Sequence, residues 1–242
     1  MNMPSLLVLL LAAALRGAAG FNPAVAPYSA FTFNRILTAC VDTGAAASAE
    51  AVTRRWISEH VLSLGLCPYA SKPFVEEQIR YSVVDAESNV ELVGEFFTEA
   101  QLLLESDPGE LATTMLIAPS YPGGIEDFYE LYEWLTDLLE DEDEPLLRGR
   151  LQPAFFHPEW TFSGLPADAP IHFEKRAPLP TINLLRQADL DAVSKKGLEQ
   201  GVIVSKEIGE HNAAALEGAG YDAMRALFAE RLAPGSPADP AA

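Results

Sequence analysis

Apolar residues at helical spacing open the patterned part of the chain. Val52, Trp56, Ile57, Val61 and Leu64 fall on one side of a helix starting near Glu50, and Arg54, Arg55, Ser58 and Glu59 fall on the other. Gly65 marks its stop. In the connection Leu66-Cys67-Pro68-Tyr69-Ala70, the proline pushes Cys67 out of helical geometry. Three runs with β character follow at 79–84, 113–118 and 151–156, separated by helices. Ser88 with Glu91 is a capping-box pair for a helix to about Glu105, whose predicted stripe is Val90, Val93, Phe97, Ala100 and Leu104. The second run is continuously apolar after two threonines, the mark of a central strand. Phe128, Leu131, Leu135 and Leu138 form the face of the next helix, and Pro153 assigns the third run to an edge or a bulge.

Alternating strands and helices predict an α/β fold: a single domain with a small, mainly parallel sheet flanked by helices and a long loop after the third strand. A ferredoxin-like α+β arrangement is the alternative that the same pattern admits. Residues 155–186 have little periodicity, yet they hold two of the four histidines, one of the three tryptophans and five prolines. A stretch of that length in a compact domain is more often a functional loop than filler. Beyond it, Thr181 is expected to cap a helix carrying Leu184 and Leu185, with short helices near 211–216 and 221–232. In parallel sheets ligands gather beyond the carboxyl ends of the strands, here Asp85, residues 119–124 and residues 157–160.

Both ends of the chain change the domain count. Residues 6–15 are an apolar run too short to span a bilayer, and Ala18-Ala19-Gly20 follow as small residues spaced for cleavage, so 1–20 read as a signal peptide. Residues 21–49 are rich in Ala, Ser and Thr, begin with Phe21 and contain Asp42 as the acidic residue before Glu50, a transit-like segment. Together they resemble the two-part plastid address of algae with secondary plastids; a secreted or endomembrane-lumen protein is the alternative. The globular domain is expected over 50–232, and 233–242 are too polar and Pro/Gly-rich to pack. With Cys40 in the transit-like segment, Cys67 is left alone in the mature domain and has no intrachain disulfide partner.

The net charge of −19 argues against binding a phosphate backbone, which needs a basic surface that releases counterions. No stable membrane span is expected in the mature protein. A small anion in a locally basic pocket fits, and the loop's basic trio of His172, Lys175 and Arg176 stands out in so acidic a chain. The quartet at 141–144 reads as a solvated acidic loop. Glycine fingerprints for dinucleotides and nucleotide phosphates are missing, no short ligand spacing suggests a metal, and the pattern implies no particular cofactor.

Several ordered motifs carry a resemblance: Trp56 with Leu66-Cys67-Pro68-Tyr69-Ala70; Phe156-His157-Pro158-Glu159-Trp160-Thr161-Phe162; Arg176-Ala177-Pro178-Leu179-Pro180-Thr181 with Leu184-Leu185-Arg186; and Ile208, Asn212, Leu216 and Gly220. Over roughly residues 50–220 the chain resembles the uncharacterised family catalogued as domain of unknown function 1415. The resemblance implies no activity. It departs from the family pattern at His172, Lys175, Ala177 and Leu179, where relatives place asparagines, a serine and an aromatic residue.

The candidate chemistry is a small soluble enzyme acting on an anionic small molecule. Cys67, in a loop before a proline, is the candidate nucleophile, and His157, at a strand end, the candidate general base. Arg176 suits a carboxylate or phosphate ligand as a planar bidentate donor, with Trp160 as a pocket wall and Arg186 as a second cation. The competing expectation is a non-enzymatic binding or assembly protein in which the same residues clamp the loop. His60, on the stripe of Trp56 and Leu64, reads as a core histidine.

Overall fold

A computed structural model describes residues 43–140 and 148–233, which all belong to one compact unit. The signal segment, Cys40, the acidic quartet and the tail from residue 234 lie outside the described residues. Helix α1 (Thr43–Trp56) begins ahead of Glu50, with Ala49 already buried, and continues into a π-helical turn, Ile57–Leu62. A short helix α2 (Ser71–Val75) leads to strand β1 (Ile79–Val83). Then come α3 (Asn89–Glu105), β2 (Thr113–Ile117), α4 (Ile125–Glu140) and β3 (Leu151–Phe156). The expected Ser88 cap is present, its side chain accepting from the Glu91 N–H at 3.3 Å.

A fourth strand, β4 (Thr181–Arg186), occupies the place where a helix capped by Thr181 is expected, and α5 (Gln187–Glu199) starts only after it. A Leu-Leu pair after a threonine suits either element, and a six-residue run is too short for periodicity to choose. What decides is position: the segment lies between two other strands, pairing β2 on one side and β3 on the other. Helices α6 (Val204–Ala219) and α7 (Tyr221–Glu230) complete seven α-helices among the described residues. None of them is long and apolar enough to cross a membrane.

The sheet order is β1-β2-β4-β3. β1 and β2 pair in parallel, and β4 is antiparallel to both β2 and β3. The three strands visible in the sequence therefore do point the same way, but the sheet is mixed, with one parallel pair, rather than mainly parallel. It is not the ferredoxin-like split unit either, because β1 and β2 are direct neighbours instead of being parted by another strand. Pro153 lies on β3, an edge strand, where its missing donor is tolerated.

Strand alternation divides the core. Ile79, Tyr81, Val83, Met115, Ile117 and Phe156 face α1 and α7, packing on Val52, Trp56, Ile57 and Phe228. On the other face, Leu116, Ile182 and Phe155 share one register row, and Phe155 meets Phe128 of α4 at 5.7 Å between ring centroids. All four apolar residues expected on the α4 face are buried. On α3 the stripe is instead Leu92, Val93, Phe96, Ala100 and Leu103, while Val90 is 42 % exposed. The phase differs because Glu99 belongs to the inner face: Arg80 donates to both its carboxylate oxygens (2.7 and 3.0 Å), and Ser82 donates at 2.9 Å. Val93 and Ala100 are common to both stripes, and the other three predicted positions move by one or two residues toward the Glu99 side.

Arg186, at the end of β4, is 8 % exposed and donates through Nη2 to the carbonyls of Leu103, Ser106 (2.9 Å) and Leu111 (3.1 Å). These carbonyls lie at the end of α3 and in the turn that follows it, so one guanidinium closes that end of the fold. Arg186→Met should lower the unfolding free energy by about 3 kcal/mol, seen as a lower urea midpoint at unchanged slope.

His60 is fully buried on the π-helical turn, as its place on the Trp56 stripe predicts, and bonds the Phe173 carbonyl through Nε2 at 2.8 Å. Burial lowers its pKa to about 4, with the Phe173 bond opposing. A depressed folded pKa means that the unfolded chain takes up a proton which the native state refuses. The neutral ring's contribution is therefore complete above pH 6.5 and is lost as pH falls from there to about 4. The loss is on the order of 3 kcal/mol at about 1.4 kcal/mol per unit. His60→Gln should flatten the stability curve across that window relative to the wild type, whatever its stability at pH 8; equal slopes in chemical denaturation would contradict this.

Candidate functional site

Because β4 runs against β3, the connection 157–180 leaves and re-enters the sheet at one edge, the edge where β1, β2 and β3 all end. Two backbone bonds hold it there: the His157 N–H donates to the Lys175 carbonyl (3.1 Å) and the Ala118 N–H to the Pro180 carbonyl (3.0 Å). Inside the loop, the 3-10 turn Pro170–Glu174 brings His172 under Phe162. The Phe162 N–H donates to His172 Nδ1 (3.0 Å), so the ring's proton is on Nε2, which donates to the Pro166 carbonyl (2.8 Å). His172 braces the loop and is 1 % exposed.

His157 is 4 % exposed, with its ring 5.2 Å from that of Phe128. Its Nδ1 accepts the Glu159 N–H at 3.2 Å, which fixes the turn Pro158-Glu159. Burial lowers its pKa, partly opposed by Glu159. Trp160 packs edge-on against Tyr129 at 4.9 Å. With Tyr129, Thr161, Phe162 and Ser163 it lines a shallow surface groove, although its own indole N–H is buried with no described partner. Arg176 lies over the Phe173 ring at 4.7 Å and donates through Nε to the Trp160 carbonyl at 3.0 Å. Arg186 is placed at the opposite end of β4, away from all of these, and belongs to the carbonyl cluster that closes α3.

Cys67 precedes α2 and is half-buried and unoxidised. Burial pushes the pKa of its thiol up, and the backbone N–H groups of Tyr69 and Ala70 and the Lys175 charge oppose it by favouring the thiolate. Phe156 points to the α1 side, so the next residue, His157, turns to the α4 side, where Phe128 receives it. The charge coupled to Cys67 is Lys175; the charge coupled to His157 is Glu159.

Lys175 is thus the functional candidate that sequence reasoning left in a basic trio without a role. Its ammonium lies 5.1 Å over the Phe156 ring, whose edge meets Trp56 at 5.1 Å. Burial lowers its pKa, with Glu174 and Cys67 opposing. The neighbouring carboxylate, Glu174, accepts from Asn212 of α6 at 2.8 Å. With His60 bonded to the Phe173 carbonyl, residues 173–176 are tied down from two helices, the preorganisation that a binding site needs. The signal for Lys175 in the sequence is faint: a second cation beside Arg176, between apolar Phe173 and Ala177, in a chain with 35 acidic and 16 basic residues. Asn212 is more legible, being one of the closing motif residues of the resemblance.

What the arrangement offers is an amine, a thiol and a guanidinium on one rigid loop and its neighbour. No described group of three or more His, Cys, Asp and Glu side chains is disposed to hold a metal ion. Neither a curated protein nor a solved structure matches the chain. Residues 48–226, from within α1 to within α7, match the family described as "Protein of unknown function (DUF1415)", and the chain belongs to that family.

Proposed function

We propose that the protein is a small enzyme that binds an anionic small molecule at the carboxyl edge of its sheet. Arg176 and Lys175 receive the anion, and Cys67 exchanges a proton with the bound molecule or attacks it. One observation carries this reading. In a chain of net charge −19, these two adjacent cations form no salt bridge with a described carboxylate, whereas Arg54, Arg80 and Arg231 each do. An unpaired guanidinium stacked on an aromatic face, with its fork free to engage a ligand, suits a planar carboxylate or a phosphate. His157 has the part of a turn-fixing residue in this scheme, since its Nδ1 is taken by Glu159 and its ring by Phe128. Trp160 contributes by holding Arg176 through its carbonyl.

The closed packing of the loop favours a second reading, a non-enzymatic binding protein in which the two cations recognise an acidic partner and no chemistry follows. His157 and His172 both spend ring nitrogens inside the loop, and the groove beside Trp160 is shallow. The plastid address is part of the proposal too, supported by the apolar run at 6–15 and by Phe21 after the small residues.

Thermal denaturation in phosphate, sulfate, malonate and succinate tests the shared step. A ligand at a hundred times its Kd stabilises by about 2.7 kcal/mol, worth roughly 5–10 °C in Tm for a domain of this size. Arg176→Ala and Lys175→Ala should each remove most of that shift, and Arg186→Met should keep it. A shift that survives both loop substitutions unchanged takes these cations out of the site. Conversion of the bound molecule, lost on Cys67→Ser, separates the enzyme from the binding protein.

A further inference from the structure

The two outer strands of the sheet are finished differently. On β3 the Arg150 carbonyl accepts the Gln187 N–H at 2.9 Å, so the even-numbered residues bond β4 and Pro153 faces outward. A proline there removes a donor that an approaching strand needs. β1 has no proline in Ile79–Val83 and pairs with β2 alone. Just past it the Val84 N–H donates to the Ile117 carbonyl at 2.8 Å, and parallel pairing engages every second residue, so Arg80 and Ser82 turn their backbone groups to β2. Ile79, Tyr81 and Val83 turn theirs outward, where no described residue bonds them. The strand is also less covered than its neighbour: every residue of β2 is buried, whereas in β1 only Ile79 is. A row of unengaged N–H and C=O groups along such an edge is a template for another strand.

We propose that two copies of this chain associate through β1, antiparallel about a two-fold axis at Tyr81. The side chains are what point to a second copy as the occupant. In that register Ile79 lies opposite Val83 of the other copy, and Tyr81 lies opposite Tyr81, so the residues on the α1 side meet apolar against apolar. On the α3 side Arg80 lies opposite Ser82, and no like charge directly faces its own kind. Each outward pair, 79 with 83, 81 with 81 and 83 with 79, exchanges two main-chain hydrogen bonds. Charge beside the strand is balanced. Arg54, over the Tyr81 ring at 4.1 Å, pairs with Glu50 (2.7 Å) and Glu77 (3.6 Å), and Arg80 pairs with Glu99 (2.7 Å). Repulsion between the remaining charges of two chains of net charge −19 is screened beyond about 8 Å at physiological salt. A foreign strand finds the same backbone groups; a second copy brings the matching side chains as well. The pairing makes one continuous sheet and sets the carboxyl edges of the two copies on opposite rims.

Sedimentation velocity and residue-resolved amide exchange on the full chain, in about 0.15 M NaCl, test it. The apparent mass should rise from one chain toward two as the concentration goes from about 1 μM to about 1 mM, the range of a small interface. Between low and high concentration, exchange at the Ile79, Tyr81 and Val83 amides should slow by about fivefold, while Arg80 and Ser82, bonded to β2 in either state, should change little. Val83→Pro removes one outward donor without touching the β2 ladder, the device that β3 already carries, and should leave a folded monomer at every concentration. Under mild oxidation Tyr81→Cys should give a dimer whose disulfide maps from 81 to 81, because directly opposed residues of a hydrogen-bonded pair lie about 5.5 Å apart at Cα. A wild-type chain that stays monomeric at the highest concentration overturns the proposal. So does a dimer that persists in folded Val83→Pro. Concentration-independent protection of the three outward amides in a monomer shows that another part of the same chain covers the edge, and likewise overturns self-pairing.

Discussion

The pairing of β4 between β2 and β3 is the constraint on which the rest depends. A strand in that slot must satisfy ladders on both sides and bury side chains on both faces, and Thr181–Arg186 does so with Thr181, Ile182, Leu184 and Arg186 all buried. Its antiparallel direction brings the chain back to the edge that β3 has just left. A parallel strand there would have needed a crossover from the opposite edge, and the loop would have lain elsewhere. The strand's far end places Arg186 against the carbonyls after α3, and its near end places Pro180 against Ala118. One insertion thus closes the structural edge and positions the chemical one.

At the chemical edge the loop is held by polar side chains used as braces. His172 and His157 each accept a backbone N–H, His60 anchors the Phe173 carbonyl, and Asn212 holds Glu174. Buried neutral histidines and amides that are mostly satisfied lose little to desolvation and add rigidity. The two cations that remain, Lys175 and Arg176, rest on the rings of Phe156 and Phe173. The division of labour between bracing groups and these two cations is the basis of the functional reading.

Strand alternation sets the direction of His157. Phe156 and His157 are consecutive, so they face opposite sides of the sheet: one meets Trp56 and the Lys175 ammonium, the other meets Phe128. His157 is thereby turned to Phe128 by the pleat, a fact that motif order along a chain does not contain.

Periodicity by itself determined α1, α4, the three strands β1 to β3 and the edge position of Pro153, because each shows a local pattern of burial that one element satisfies. It also marked the loop after β3 as the place of interest and His60 as a core residue. It failed at β4, a six-residue run too short for its period to choose between helix and strand, and where a paired glutamate, Glu99, stood on the inner stripe of α3. Only the tertiary structure decided the order β1-β2-β4-β3, the separation of Arg186 from the site and the seat of the Lys175 ammonium over Phe156. The physical reason is range: helix and strand patterns are written in neighbours a few residues apart, whereas strand insertion, carbonyl capping and the stacking of an ammonium on a ring join parts of the chain that meet only once it is folded.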